Sequence, residues 1–392
     1  SRPGGGVRLA SAPAGNDLPY TIYYGNLHSQ TNHSDGGTPV EHCEESEKPQ
    51  AGELGPTDAY EMMRTEAEGD FLLTSEHNHL YDGSTRINAA AEPSDAIALF
   101  RSGVRAASEY RIAHPTFMAL YGLEWGVTTN GGGHINLINA NVLANWERNE
   151  AGQLIGSVET PRDDYPALYE TMKERGWIGQ FNHPDRDQFL VDGEGMGFDE
   201  NGADVMVLVE VLNTSAFSSN TSQTEPKRRD FVGAWKRLLE RGYKLAPASN
   251  QDNHCANWGL SSTNRTGVLL AEDAAFTRTN FLNALRARRV FATEDKTGQL
   301  VLTANGHVMG RSFSNHGKLT LKANYASTDG HTAQRVQFFE GVPGRNGEVT
   351  RLAGNKGTLT ITPEAGEHFY YAVVTQEDGL RLWSAPVWVT QE

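Results

Sequence analysis

Short apolar runs recur through the first three quarters of the chain, and each breaks into a polar tail. The runs Ile22–Leu27, Phe71–Leu73, Phe117–Leu123, His134–Ile138, Gly176–Phe181, Asp204–Leu212, Tyr243–Ala248 and Thr266–Leu270 read as buried strands. Between them, 57–68, 94–113, 163–175, 226–241 and 277–289 carry helical spacing. Thr57 or Asp58 is placed to cap the first helix, with Tyr60, Met63 and Ala67 on one face. Pro226 is placed near the start of the fourth. Strands alternating with helices predict parallel βαβ units, with chemistry at the C-terminal strand ends. His28, His77, Glu124, His183 and the pair Asp252/His254 all fall at such ends. One polar residue after a strand is a loop residue; the same placement repeated along the chain points to a shared centre.

From about residue 297 the texture changes. Gln299–Thr303, Lys318–Tyr325, Gln334–Glu340, Thr358–Thr362, His368–Thr375 and Leu382–Val389 are short β-type runs punctuated by Gly, Asn and Asp. They predict a small all-β, immunoglobulin-like sandwich over 297–392. The expected organisation is a leader over 1–19, a hydrolase domain over 20–296 and this β domain. His307 and His316 lack ligand-type neighbours and read as surface residues. Residues 38–58, polar and proline-containing, read as a long surface loop placed to cover the first motif.

Composition narrows the partners. The net charge of −15 disfavours nucleic acid, whose phosphates an acidic surface repels. No run is long and apolar enough to span a membrane; the expected partner is a small-molecule substrate. The two cysteines, Cys43 and Cys255, form no C-x-x-C pair and fit either a reduced protein or one disulfide. The Gly/Pro/Ala-rich leader lacks an apolar core; it fits a periplasmic or secreted chain after processing, the alternative being cytoplasmic.

The stretch Gly25-Asn26-Leu27-His28-Ser29-Gln30-Thr31-Asn32-His33-Ser34-Asp35-Gly36-Gly37 concentrates groups that bind metal or move protons. Imidazole with carboxylate suits Zn, Mn or Fe. A carboxylate such as Glu124 can bridge two ions, which together lower the pKa of a shared water. Asp252-Asn253-His254 alternates so that both ends address neighbouring ions. Such a centre hydrolyses phosphate esters or, less specifically, other esters and carbamates.

These segments, with FLLTSEHN, GLEWG, GGHINLI, FNHP and SNQDNH, resemble the PHP (polymerase and histidinol phosphatase) superfamily of metallophosphoesterases over roughly 22–295. The resemblance implies a distorted (β/α)7 barrel holding one to three divalent metal ions. It assigns His28, Gln30, Glu124 and Asp252 to one ion, Glu124, His134 and His183 to a second, and Asp35, His77 and His254 to a third. Three departures stand out: Gln30 replaces a histidine, Asn26 an aspartate and Glu76 an aspartate, the last expected to orient a histidine. The implied function is cleavage of small phosphomono- or diesters by a metal-activated hydroxide, with Glu124, Asp252, His254 and Arg265 as catalytic residues. The alternatives are a carbamate or carboxylester hydrolase and a catalytically inactive metal- or ligand-binding module. Arg186 and Arg265 are candidate phosphate clamps, His33 and His79 candidate leaving-group acids. Asn213 and Glu210 are candidate pocket linings, Trp125 and Trp258 a candidate apolar wall. Cys43 and Cys255 are expected to join as a disulfide pinning the 38–58 loop.

Overall fold

The apolar runs fold as strands because their residues are buried on both faces, as in Phe71–His77 and Met118–Trp125. This computed structural model describes residues 18–44, 48–129, 131–345, 349–354 and 356–392, with the backbone of Val7–Arg8. The leader read over 1–19 therefore lies largely outside the described residues. Val7 and Arg8 pair with Ile22 and Thr21 as a short strand.

We number the main strands β1 (Tyr20–Asn26), β2 (Phe71–His77), β3 (Met118–Trp125), β4 (His134–Leu137), β5 (Gly179–Asn182), β6 (Met206–Thr214), β7 (Ala246–Asn250), β8 (Arg265–Ala271) and β9 (Val290–Thr293). Pairs β1–β2, β2–β3, β5–β6 and β6–β7 are parallel. Pairs β3–β4, β4–β5, β1–β8 and β8–β9 are antiparallel. The expected (β/α)7 barrel is therefore not what forms. The chain is 34% strand and 19% helix, with six α-helices among the described residues. The local cause is visible at the glycine-rich turn between Trp125 and His134, whose described residues hold no helix and which returns the chain antiparallel.

The sheet also runs on past these nine strands. Beyond β9 it continues into Arg381–Trp383, through Ala292 opposite Trp383 and Thr293 opposite Leu382. From there it runs into Gly366–Gln376, Ala333–Gly341 and Val387–Gln391. Gly298–Ala304, Leu319–Ser327 and Thr358–Ile361 form a second, four-stranded sheet with His307–Val308. The C-terminal region is thus all-β, but its strands extend the first sheet and do not stand apart as an independent sandwich. Tyr24 donates its hydroxyl to the Gly298 carbonyl, and Trp235 packs 4.5 Å from Tyr371, so both core clusters span the two regions.

Helix boundaries shift for local reasons. The first helix is Pro56–Thr65; Pro56 takes the first turn and Asp58 accepts from the Gly55 N–H at 2.9 Å. Pro93–Ala113 buries Ala96, Phe100, Gly103, Ala107 and Tyr110, one stripe at helical spacing. The expected helix over 226–241 begins only at Val232, because Arg228–Asp230 pair with Leu212–Thr214 as a strand.

Cys43 and Cys255 form a disulfide. Around it the loop is laced to the segment after β7: Gly37 donates to the His254 carbonyl at 2.9 Å and Ala256 to Thr38 at 2.9 Å. Gly37 sits at φ +83°, and a Cβ there would lie 2.1 Å from the Leu54 carbonyl, so only glycine fits. The disulfide fits an oxidising compartment. Among the described residues no helix is long and apolar enough to cross a membrane. Thiol titration of the unfolded chain without reductant is expected to find no free thiol, and reduction to lower stability by about 2–4 kcal/mol in denaturant melts. Two titratable thiols, or no loss on reduction, would contradict the pinned loop.

Candidate metal centre

One edge of the sheet gathers the polar tails. Parallel strands β1, β2, β3, β5, β6 and β7 end there, and antiparallel β4 begins there, so His134 joins from the opposite chain direction. Register does the rest: His77 lies opposite Glu124, and His134 opposite Asn182. The rim comes together through backbone and side chains: the Gln30 N–H donates to the Asn253 carbonyl at 2.9 Å, and Asn250 accepts from the Leu27 N–H at 2.8 Å.

Glu124 is fully buried at the middle. Its Oε1 lies 2.9 Å from His134 Nδ1 and 3.2 Å from His183 Nε2. Its Oε2 lies 3.0 Å from His28 Nε2 and 3.5 Å from His77 Nδ1. Its two oxygens therefore face two different histidine groups, the geometry of a bridging carboxylate. Burial alone would raise its pKa; His28, His77 and His134 outweigh that and hold it well below the usual range.

His28 is the sharpest case. Its Nδ1 faces Glu210 at 3.0 Å, which fixes the ring and assigns the proton to that nitrogen. Nε2 then lies 3.0 Å from both Glu124 and Asp252, yet hydrogen-bonds to neither. Asp252 Oδ1, Asp35 Oδ1 and His77 Nδ1 are likewise buried without hydrogen-bond partners. Lone pairs that converge without hydrogens between them repel unless a cation lies among them. Burial lowers the His28 pKa, but Asp252, Glu124 and Glu210 raise it well above normal: where no metal is bound, a proton is held instead. These residues can hold metal ions. Ligand atoms of three sets, His28/Glu124/His183, His77/Glu124/His134 and Asp35/His77/His254, each lie within 4.8 Å of one another. A neutral imidazole has one free lone pair, so His77 can serve only one of its two sets at a time.

Asp35 Oδ1 lies 3.4 Å from His254 Nε2 and 3.6 Å from His77 Nε2. The Asp252 carbonyl meets His254 Nδ1 at 2.8 Å and so aims the other nitrogen at Asp35. Two residues of the centre hold left-handed backbone, His183 at φ +27° before a proline and Asp252 at φ +50°. Conformations of this kind cost about 1–3 kcal/mol each and persist only where neighbours enforce them. Glu210 does so for His183, accepting its N–H at 2.8 Å.

Several expected roles change. Gln30 turns its amide nitrogen toward Glu124 Oε2 at 2.6 Å, and its oxygen accepts from Ser34 and the His77 N–H. Flipping the amide would set two N–H donors against each other, so in this arrangement Gln30 supports the bridging carboxylate through its nitrogen. Glu76 orients no histidine; it accepts from the Thr31 N–H and the Thr31 and Ser34 hydroxyls, fixing the loop, and burial pushes its pKa up to about 7. Arg265 is buried and spends its guanidinium on the carbonyls of Gly259, Ser262 and Asn264 and on Gln223, so it cannot clamp a phosphate. Arg186 lies on the surface, 3.7 Å from Asp187. Trp125 and Trp258 are wholly buried, donating to Thr160 and the Gln30 carbonyl, and line nothing accessible. Asn213 is buried beside Asn250 with its Oδ1 unpartnered. His33 bonds Tyr121, and burial lowers its pKa to about 4. His79 stays at the rim, its ring 5.7 Å from His77. Reading the sequence did not single out Phe217, 4.5 Å from the His254 ring, nor the part of Glu210 in fixing His28. The lone acid inside the apolar run of β6 was the signal for the latter.

No protein-family model and no curated protein matches the chain. Among solved structures it is similar to fibronectin(III)-like modules of Clostridium thermocellum CbhA, at 24% identity over 23% of this chain and 94% of the other, TM-score 0.16. It is similar to an engineered protein at 11% identity over 82% of this chain and 49% of that one, TM-score 0.21. The extracellular domain of a one-component system from B. thetaiotaomicron matches at 10% identity over 33% of this chain and 24% of that one, TM-score 0.16. Scores this low carry no argument about fold or function.

Glu210→Gln is expected to weaken metal binding about 10–100-fold in chelator competition, because the His28 ring loses its charged anchor; unchanged affinity would remove that role. Burial lowers the His254 pKa, but Asp35 and Asp252 raise it to about 10. Its folded value exceeds its unfolded one, so the stability it adds to metal-free protein is complete below about pH 6.5 and lost as pH rises through 10. Chelator-treated protein should therefore melt lower at pH 9.5 than at pH 6.5, and saturating metal should flatten that slope.

Proposed function

We propose that the chain is a metal-dependent hydrolase that cleaves small phosphate esters. The observation that carries this reading is Glu124, buried between two histidine groups, with the orphaned Nε2 of His28 facing the orphaned Oδ1 of Asp252 and the orphaned Oδ1 of Asp35 facing His77 and His254. His28 and Asp252 would hold one divalent ion with Glu124, His134 and His183 a second, and Asp35, His77 and His254 a third. Bound there, the ions supply an activated water and positive charge for phosphoryl oxygens. The chain's own residues fix the geometry: Glu210 holds His28 and His183, Gln30 and Asn182 donate to Glu124, and the Asp252 carbonyl turns His254. The succession of motifs that resembles the PHP superfamily supports the same reading. A periplasmic or secreted setting accords with the disulfide.

Elemental analysis of protein purified without chelator should find two or three equivalents of Zn, Mn or Fe. That preparation should hydrolyse aryl phosphates faster than aryl acetates or carbamates. Glu124→Gln should lose at least one equivalent and about 10³-fold or more in kcat, since one bridging carboxylate serves two ions. No metal, and none regained on reloading, would overturn the reading; preference for acetates or carbamates would redirect it to carbonyl substrates.

A further inference from the structure

Beside the metal-ligand cluster lies a cleft of about 540 Å³, lined in part by His79, Arg86, Ile87, Trp146, Glu147 and Arg162. Its size falls in the range of small-molecule sites, about 300–1,000 Å³. His79 connects it to the centre: its ring lies 5.7 Å from His77 on one side and 6.1 Å from Trp146, nearly parallel, on the other. Trp146 is held in turn by the buried Trp125, edge-on at 5.3 Å. The cleft thus offers a fixed flat wall that begins beside the ligands, with the exposed Ile87 adding apolar surface.

Its charge runs against that of the molecule. The chain carries a net −15, yet two guanidiniums line this cleft. Arg86 makes no ion pair among the described residues, and Arg162 has only its half-buried neighbour Asp163, at 3.5 Å. A second observation is independent of them. Glu147 is 6% exposed and its Oε2 is buried without a hydrogen-bond partner. Burial and Asp82 push its pKa up to about 8 against the pull of Arg162, so near neutral pH it is protonated and can donate a hydrogen bond. A buried acid with an unused oxygen, in a cleft with one unpaired guanidinium and a second held by a single 3.5 Å ion pair, is a binding arrangement without its ligand's polar groups.

We propose that this cleft seats the organic half of the ester, and that the substrates are phosphates of aryl or similarly flat alcohols bearing a carboxylate. The inference rests on the phosphoesterase reading for the reaction, though not for the binding. The flat body lies along Trp146. The carboxylate pairs with Arg86 and Arg162. Glu147 donates to a further acceptor on the ligand.

The test compares para-carboxyphenyl phosphate with phenyl phosphate on the metal-loaded protein. Wild type should favour the carboxylated ester about tenfold in kcat/KM, the lower end for a hydrogen bond to a charged group. In the double variant Arg86→Ala/Arg162→Ala that ratio should fall toward one. A wild-type ratio near one, or an unchanged ratio in the double variant, overturns the inference. Both arginines are exposed, and metal content monitors folding. Calorimetry with para-hydroxybenzoate, the organic product, separates this idea from the reaction. Binding that disappears in the double variant, in a protein that hydrolyses neither ester, keeps the cleft assignment and removes the hydrolase reading. Failure of wild type to bind para-hydroxybenzoate overturns the cleft assignment.

Discussion

A carboxylate with no exposure to water is among the least favourable groups a protein can bury, because its hydration is lost and must be replaced. Glu124 is such a group, and much of the surrounding structure supplies the replacement. Four histidines present nitrogens to it within 3.5 Å, and Gln30 and Asn182 add neutral donors. The histidines are themselves held by further acids, Glu210 behind His28 and Asp35 beyond His77. The result is an alternation of acid and imidazole that is balanced only when positive charge, proton or metal, is present. The backbone strain at His183 and Asp252 is tolerated because these contacts leave the two residues no easier conformation.

Beneath that charged layer lies a layer of amides. Asn136 and Gln180 both donate to the Leu27 carbonyl, and Asn182 donates to Asn136. Asn250 donates to Glu210 and accepts from Leu27, while Asn26 and Asn253 clasp each other at 3.0 Å. Amides bring donors and acceptors without net charge, so they satisfy strand-end backbone and hold acids without altering the charge above them. Asn26, which stands where the PHP resemblance implies an aspartate, belongs to this layer.

Much of the centre was legible in the sequence because it follows a simple rule, a ligand-type residue just past an apolar run. His28, His77, Glu124, His183, Asp252 and His254 obey it, and the strand ends bring them together. The architecture was less legible. Strand direction is not written in an apolar run: β4 looks like its parallel neighbours until its pairing with β3 and β5 is known. Nor does the change of texture near residue 297 reveal that Trp383 pairs beside Ala292. Arginines and tryptophans misled for another reason. Arg265, Trp125 and Trp258 are large groups with polar atoms, and their burial depends on neighbours far away in the chain. The acid inside β6 was visible, but which histidine it held was not.

The sheet's connectivity also sets the order in which the molecule can assemble. β1 pairs with β2 on one side and with β8 on the other, so Tyr23 lies opposite Val268. The pocket around His28 needs Asn250 to meet Leu27, and the core beneath it needs Tyr24 to reach Gly298. Contacts of such long sequence separation carry a large loop-closure cost before they are rewarded, and they make folding slow. A chain growing from its N-terminus exposes β1 as an unpaired apolar edge until some 240 further residues have been made, open to wrong partners throughout. The acids of the candidate centre, Asp35, Glu124 and Asp252, converge only at the close of that process. In this protein, then, the candidate metal centre is assembled by contacts that close late and is poorly placed to serve as a folding nucleus.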